Sequence, residues 1–209
     1  MAITLWGAGT SRTVRPVWMA EELGVKYILH PIGPRTGETL TEAFTELNPK
    51  QKIPVMVDGD LRLTESVAIS RYLRDRYPNP ANIATPSTVE ERASEDAWCC
   101  YVFGELDETS LYVMRRHRDL SAVYGEAPAA VSSSAEYARR HLRVVAAHLA
   151  QYDYLLPMGF GLADLILMTC LDWAHAYGVG LPDPLSDWRD KIAARPAYQR
   201  AVIANRRPL

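Results

Sequence analysis

A chain of 209 residues, 48% of them hydrophobic, is long enough to bury one large core or two smaller ones and carries no compositional mark of a disordered or fibrous protein. Its formal net charge of -2, with acidic and basic residues mixed along the whole length, lacks the basic footprint that a nucleic-acid partner requires. The opening Met-Ala-Ile-Thr-Leu-Trp-Gly lacks a secretory signal's basic region and apolar run, and no stretch approaches the about eighteen apolar residues of a membrane span; a cytoplasmic protein without membrane attachment is expected.

In chain order, Ile3 to Trp6 reads as a short strand closed by the glycine-rich turn Gly7-Ala8-Gly9. Val14, Val17 and Trp18 then recur at helical spacing, Glu21-Glu22-Leu23 continues the pattern, and Gly24 supplies the stop. Pro16 has no N–H and suits only a first turn, which predicts a helix starting near Thr13 with Thr13 as its cap and Ser11 in the loop before it. Tyr27 to Ile32 reads as a second strand. Thr39-x-x-Glu42 reads as the capping box of a helix with Leu40, Ala43, Phe44 and Leu47 on one face, ended by Asn48-Pro49.

Val55-Met56-Val57 and Leu61-Arg62-Leu63, joined by Asp58-Gly59-Asp60, form a hairpin pattern. A third helix opens at Thr64-Glu65-Ser66, carries Ile69, Tyr72 and Leu73, and ends at Tyr77-Pro78. The order βαβαββα over residues 1–78 is that of a thioredoxin-like domain, and residues 79–87, with Pro80 and Pro86, read as a linker. An all-helical domain is predicted over 88–209, with helices near 88–118, 132–153, 162–177, 185–194 and 197–205. The fold class is therefore α/β followed by all-α.

On the first of those helices Trp98, Val102, Leu106 and Val113 form an apolar stripe, with Tyr101, Glu105, Thr109, Tyr112 and Arg116 beside it. Tyr101, Tyr112 and Arg116 are the candidates for contacting a second substrate; the alternative is a core edge and a solvated face. The histidines show no ligand spacing, and Cys99, Cys100 and Cys170 suggest neither a metal site nor a disulfide framework, so no metal is expected.

The segment Asn48-Pro49-Lys50-Gln51-Lys52-Ile53-Pro54-Val55, followed by Leu63-Thr64-Glu65-Ser66-Val67-Ala68-Ile69, resembles the glutathione-binding signature of cytosolic glutathione transferases, theta-like and bacterial members most of all. Ile-Thr-Leu-Trp-Gly, Glu-Glu-Leu-Gly at 21–24, Ala163-Asp164 and Ala194-Arg195-Pro196-Ala197-Tyr198 extend the resemblance over nearly the whole chain. It implies glutathione as co-substrate, a small electrophilic partner bound by the helical domain, and a homodimer. One departure is Gly161, where the family usually has Ser or Thr three residues before the aspartate; Asp164 can still accept a bond from the Gly161 N–H.

Glutathione carries two carboxylates, an ammonium and a thiol, and the matching residues answer each group. Ser66 at a helix N-terminus can hold the γ-glutamyl carboxylate, and Glu65 can pair with the ammonium. By resemblance Pro54 is cis, Ile53 presents its backbone to the cysteinyl backbone, Lys52 reaches the glycyl carboxylate, and Thr39 joins the glutathione-binding set. Each alone has a plainer reading: a cap, a surface charge, an ordinary turn residue.

For the thiol, Gly9-Thr10-Ser11-Arg12-Thr13-Val14-Arg15 offers three hydroxyls. Ser11 is the candidate thiolate stabiliser, because Ser11-x-x-x-Arg15 resembles the spacing of the serine classes; Thr10 is second, and Thr13 caps. The expected activity is conjugation of the glutathione thiolate to small hydrophobic electrophiles. Isomerisation, dehalogenation, peroxide reduction and non-catalytic binding are alternatives on the same scaffold.

Overall fold

The structure is a computed structural model that describes residues 2–207. They divide into two compact units: one takes the chain up to Thr85 together with the segment from Ala193 onward, the other is Pro86–Ile192.

In the first unit, β1 (Ile3–Trp6), α1 (Ser11–Leu23), β2 (Tyr27–His30), a 3-10 turn (Glu38–Leu40), α2 (Glu42–Leu47), β3 (Val55–Asp58), β4 (Leu61–Thr64) and α3 (Ser66–Arg76) follow in the thioredoxin-like order. The sheet order is β2-β1-β3-β4, with β1 parallel to β2 and antiparallel to β3, and β3 antiparallel to β4. Strand alternation puts Ile3, Leu5 and Met56 on one face, where they are buried, along with Val17 and Trp18 of α1 and Ile69 and Leu73 of α3.

Two local expectations give way to packing. α1 begins at Ser11, and Thr10 rather than Thr13 is its cap: the Thr10 hydroxyl accepts from the Thr13 N–H at 3.1 Å, and the Thr13 hydroxyl accepts in return from the Thr10 N–H at 3.1 Å. Pro16 therefore lies inside the helix, where a missing N–H costs about 3 kcal/mol. α1 packs against α3 and, through almost every residue from Thr13 to Leu23, is buried, so tertiary contact outweighs that penalty. Likewise Thr41, not Thr39, caps α2 by accepting from the Phe44 N–H at 3.3 Å, and Thr39 is buried in the 3-10 turn, so the predicted Thr39-x-x-Glu42 box is not formed.

The last helix, α10 (Pro196–Ala204), packs on α1. Trp18 meets Tyr198 edge to face at 4.5 Å, and Arg195 grips Glu22 through two bonds of 2.7 and 3.0 Å. The segment from Ala193 on thus groups with the first unit, whereas the sequence places it in the helical domain.

The second unit holds α4 (Val89–Tyr101), a π-helical stretch (Val102–Tyr112), α5 (Val113–His117), α6 (Ser121–Tyr124), α7 (Pro128–Leu149), α8 (Leu162–Ala176) and most of α9 (Asp183–Ala193), ahead of α10. The π stretch changes which face is buried: the apolar series runs Val102, Leu106, Leu111, Met114 in place of the predicted Val113, because a wider turn delays the stripe by about one residue. Ser110 Oγ donates to the Glu105 carbonyl five residues back at 2.6 Å, which follows the same wide turn.

α8 is buried along nearly its whole length and forms the centre of this unit. Its start is held by Asp164, whose two oxygens accept from the Gly161 N–H at 3.0 Å and the Leu155 N–H at 2.9 Å, as the Gly161 departure requires. Asp164→Asn replaces one of these oxygens with a donor and leaves a buried N–H facing it. Urea denaturation is expected to show a loss of about 1 to 2 kcal/mol; an unchanged midpoint at unchanged slope would refute the assignment. Among the described residues no helix is long and apolar enough to cross a membrane, and no group of three or more His, Cys, Asp or Glu side chains is placed to hold a metal ion.

Candidate functional site

Sheet register decides which loops meet. Trp6 pairs with His30 and with Val55, and Val55 pairs with Thr64, so the ends of β1, β2 and β4 and the start of β3 form one row. The segments that leave this row carry Ser11 at the start of α1, Thr39 in the 3-10 turn, Ile53-Pro54 in the loop before β3, and Glu65-Ser66 at the start of α3. All of the candidates in the first unit therefore emerge at one end of the sheet.

Gly7 makes the approach of two of these loops possible. Its φ is +118°, and a Cβ there would lie 2.7 Å from Ile53 Cβ and 2.8 Å from Thr13 Cγ2, so a side chain would push the 48–54 loop away from α1. The Ile53–Pro54 peptide is cis, as the resemblance implied. Asn48, almost fully buried, organises the loop: its side-chain amide donates to the Lys52 carbonyl at 2.8 Å and its carbonyl oxygen accepts from the Lys50 N–H at 3.2 Å. The Lys52 side chain is exposed.

At the β4–α3 junction Glu65 has φ 70° and ψ 119°, a region that costs a non-glycine residue on the order of 1 to 3 kcal/mol. That conformation turns Ser66 in and Glu65 out. Ser66 is 3% exposed, while the Glu65 side chain is 63% exposed and meets Lys50 Nζ at 2.8 Å. No side chain caps α3 and its first turn has no acidic residue, so its partial positive charge is not neutralised from within the helix.

Arg15 connects the two helix starts. One turn after Ser11 on the same face of α1, it is 0% exposed and donates from Nη1 to Ser66 Oγ at 3.3 Å. A guanidinium buried this deeply brings permanent positive charge beneath both N-termini. Sequence reasoning used Arg15 only as half of a spacing pattern. The roles of Asn48 and Lys50 in shaping the loop had no sequence signal beyond their place in the signature.

The three hydroxyls differ in their engagement. Thr10 and Thr13 are tied into the capping box, and Thr13 also donates to Asn205 Oδ1 at 2.6 Å. Ser11 is the first helical residue rather than a loop residue, half-buried, and its hydroxyl has no partner among the described residues.

In the second unit, Tyr101, Tyr112 and Arg116 lie on the continuous rod of α4, the π stretch and α5. Tyr101 Oη is 2.8 Å from His141 Nδ1, and burial pushes the Tyr101 hydroxyl above its usual pKa while holding the His141 imidazole below its own. Arg116 stacks over the Tyr124 ring at 4.6 Å, and Tyr112 is half-buried.

Comparison with known proteins gives one family throughout. Residues 1–75 match the family described as Glutathione S-transferase, N-terminal domain, and residues 128–200 match Glutathione S-transferase, C-terminal domain. Glutathione S-transferase 3 of Zea mays is 31% identical over 97% of this chain and 94% of its own, and glutathione S-transferase theta-1 of Mus musculus is 28% identical over 98% and 84%. The crystal structure of the theta class glutathione S-transferase from Xanthomonas axonopodis pv. citri, with glutathione bound, superposes with a TM-score of 0.81 at 31% identity, covering 97% of both chains.

Proposed function

Since the chain belongs to the glutathione S-transferase family, a family of transferases, we propose that it conjugates the glutathione thiolate to small hydrophobic electrophiles in the cytoplasm, a detoxifying reaction. The observation that carries this reading is the unengaged Ser11 hydroxyl at the start of α1, one turn from buried Arg15, which reaches Ser66 at the start of α3. An anionic tripeptide with a thiol at its middle fits such a pair of helix N-termini.

In this reading the γ-glutamyl carboxylate accepts bonds from Ser66 and the first N–H groups of α3, over the Arg15 charge. The ammonium pairs with Glu65, which releases Lys50. Ile53 pairs its backbone with the cysteinyl residue beside cis Pro54, and Lys52 and the Thr39 segment take the glycyl end. A free thiol has a pKa near ~8.5, and lowering it by ~2 units requires about 2.7 kcal/mol of preference for the anion. The Ser11 hydroxyl and the α1 N-terminus supply that preference: the thiol proton leaves to solvent, and the sulfur lone pair forms the C–S bond while an aryl halide loses halide, an epoxide C–O bond breaks or an enone C=C π bond breaks, the alkoxide or enolate of the last two taking a proton from solvent. Tyr101, Tyr112 and Arg116 of the helical unit are assigned to the electrophile.

Glutathione-dependent turnover over a panel of aryl halides, epoxides, enones and peroxides tests the reading. Conjugation of at least one aryl halide, epoxide or enone is the expected result. Turnover of peroxides alone would make the protein a peroxidase, and glutathione binding without turnover would make it a binder.

The same reading includes a homodimer. Exposed Ile28 and Leu40 in the first unit and Val89 and Val144 in the second offer apolar surface for it. Light scattering at micromolar concentration is expected to give twice the 23.4 kDa chain mass; a monomer at that concentration would refute the dimer.

A further inference from the structure

The chain's last described residues lie against the turn that carries Ser11, far from it in sequence. Asn205, 7% exposed, contributes three bonds to that turn. Its backbone carbonyl accepts from the Gly9 N–H at 2.8 Å, its amide nitrogen donates to the Thr10 carbonyl at 3.2 Å, and its Oδ1 accepts from the Thr13 hydroxyl at 2.6 Å across 192 residues. Beyond it the Arg207 side chain runs along Gly9 and Gly33 and approaches Glu38 at 3.5 Å, so Arg207 bridges the loops after β1 and β2.

These bonds impose an order on the hydroxyl hydrogens. A backbone carbonyl can only accept, so the Asn205 amide must turn its NH2 to Thr10 and its Oδ1 to Thr13. Oδ1 also can only accept, as can the Thr10 carbonyl 2.9 Å from the Thr13 hydroxyl, and the nearer of the two, Asn205 Oδ1 at 2.6 Å, takes the single Thr13 hydroxyl hydrogen. Thr13 Oγ1 then has only lone pairs for Thr10, and accepts both its N–H and its hydroxyl at 3.1 Å. Thr10 Oγ1 in turn accepts from the Thr13 N–H. Both threonine hydrogens are thereby consumed inside the turn, and the Ser11 hydrogen is the one left over.

We propose that Asn205 is a positioning residue that anchors the first turn of α1 and sets its hydroxyl hydrogens so that Ser11, and not Thr10, donates to the glutathione sulfur. This rests on the reading above in which a hydroxyl of this turn stabilises the thiolate. The charged groups around the turn, Arg12 within it, Arg15 beneath it and Arg207 and Glu38 at its outer side, are left in place by the variants that follow.

The test is the pH profile of kcat/KM for aryl halide conjugation, with the glutathione KM, for Asn205→Ala, Ser11→Ala and the double variant. Asn205→Ala is expected to move the thiol's apparent pKa up by about one unit and lower kcat/KM below that pKa about ten-fold, with glutathione KM within about two-fold. The double variant is expected to be no worse than Ser11→Ala, since both act through one hydroxyl. Thr13→Val removes the same bond from the other side, together with the acceptor of the Thr10 N–H and hydroxyl, and is expected to shift the pKa at least as far, which keeps the test decisive if Asn205→Ala does not fold. A wild-type pH profile in Asn205→Ala or Thr13→Val, or losses that multiply in the double variant, would overturn the role of Asn205 while leaving Ser11 standing. A silent Ser11→Ala beside a damaging Thr10→Ala would overturn the Ser11 reading itself, and this proposal with it.

Discussion

Ser11→Ala is expected to lower glutathione-dependent turnover by about ten-fold or more, with glutathione affinity nearly unchanged. A hydroxyl bonded to a thiolate is worth about 1.5 to 3 kcal/mol, and that preference for the anion is lost with the oxygen. The affinity is spared because the proposed binding mode holds the tripeptide's carboxylates and ammonium elsewhere, at Ser66, Glu65 and Lys52. Steady-state kinetics with an aryl halide give the first quantity, and ultraviolet absorbance of the bound thiolate against pH gives the cause. Thr10→Ala is expected to act differently: it removes the cap of α1 and costs about 1 kcal/mol of stability, with turnover falling less than in Ser11→Ala. The reverse pattern, a neutral Ser11→Ala and a large kinetic loss in Thr10→Ala, would transfer the role to Thr10.

The second large effect is on binding. Ser66→Ala is expected to weaken glutathione binding by about 1.5 to 3 kcal/mol, because a buried oxygen that donates to a carboxylate is lost. Arg15 Nη1 also loses its 3.3 Å acceptor there. Glu65→Ala is expected to follow. Its carboxylate is exposed and already paired with Lys50, so the ammonium replaces an existing partner rather than filling an empty site. Lys52→Ala is expected to cost least, about 0 to 1 kcal/mol, as flexible exposed ion pairs do. Calorimetric titration of the three variants with glutathione measures this order directly. A Lys52 variant weaker than both of the others would mean that the ligand lies in the opposite direction.

Glu65 also shows how far local reasoning reaches. The segment Leu63-Thr64-Glu65-Ser66 announces a strand end and a helix start, and both are found, with α3 opening at Ser66. That the junction residue takes φ 70°, and that Lys50 crosses from the neighbouring loop to meet it, follows from the loop being held by Asn48. Those contacts join segments about fifteen residues apart and leave no periodic trace.

The sequence by itself determined the order of strands and helices in the thioredoxin-like domain, the helical part after it and the Asp164 bond to Gly161, and its resemblance to the family implied the cis Pro54. Each of these is encoded between near neighbours: alternation in strands, spacing along helices, caps within four residues, and a signature read without gaps. Tertiary structure alone decided where α1 begins, that Thr41 and not Thr39 caps α2, that a π stretch hands the buried face from Val113 to Leu111 and Met114, and that α10 returns to the first unit. For α1 the burial of nearly the whole helix outweighs a local penalty of about 3 kcal/mol, and for α2 the burial of Thr39 in the 3-10 turn leaves Thr41 to cap. Asn205 marks the limit of sequence reading, because a hydrogen bond across 192 residues depends on where two packed helices end.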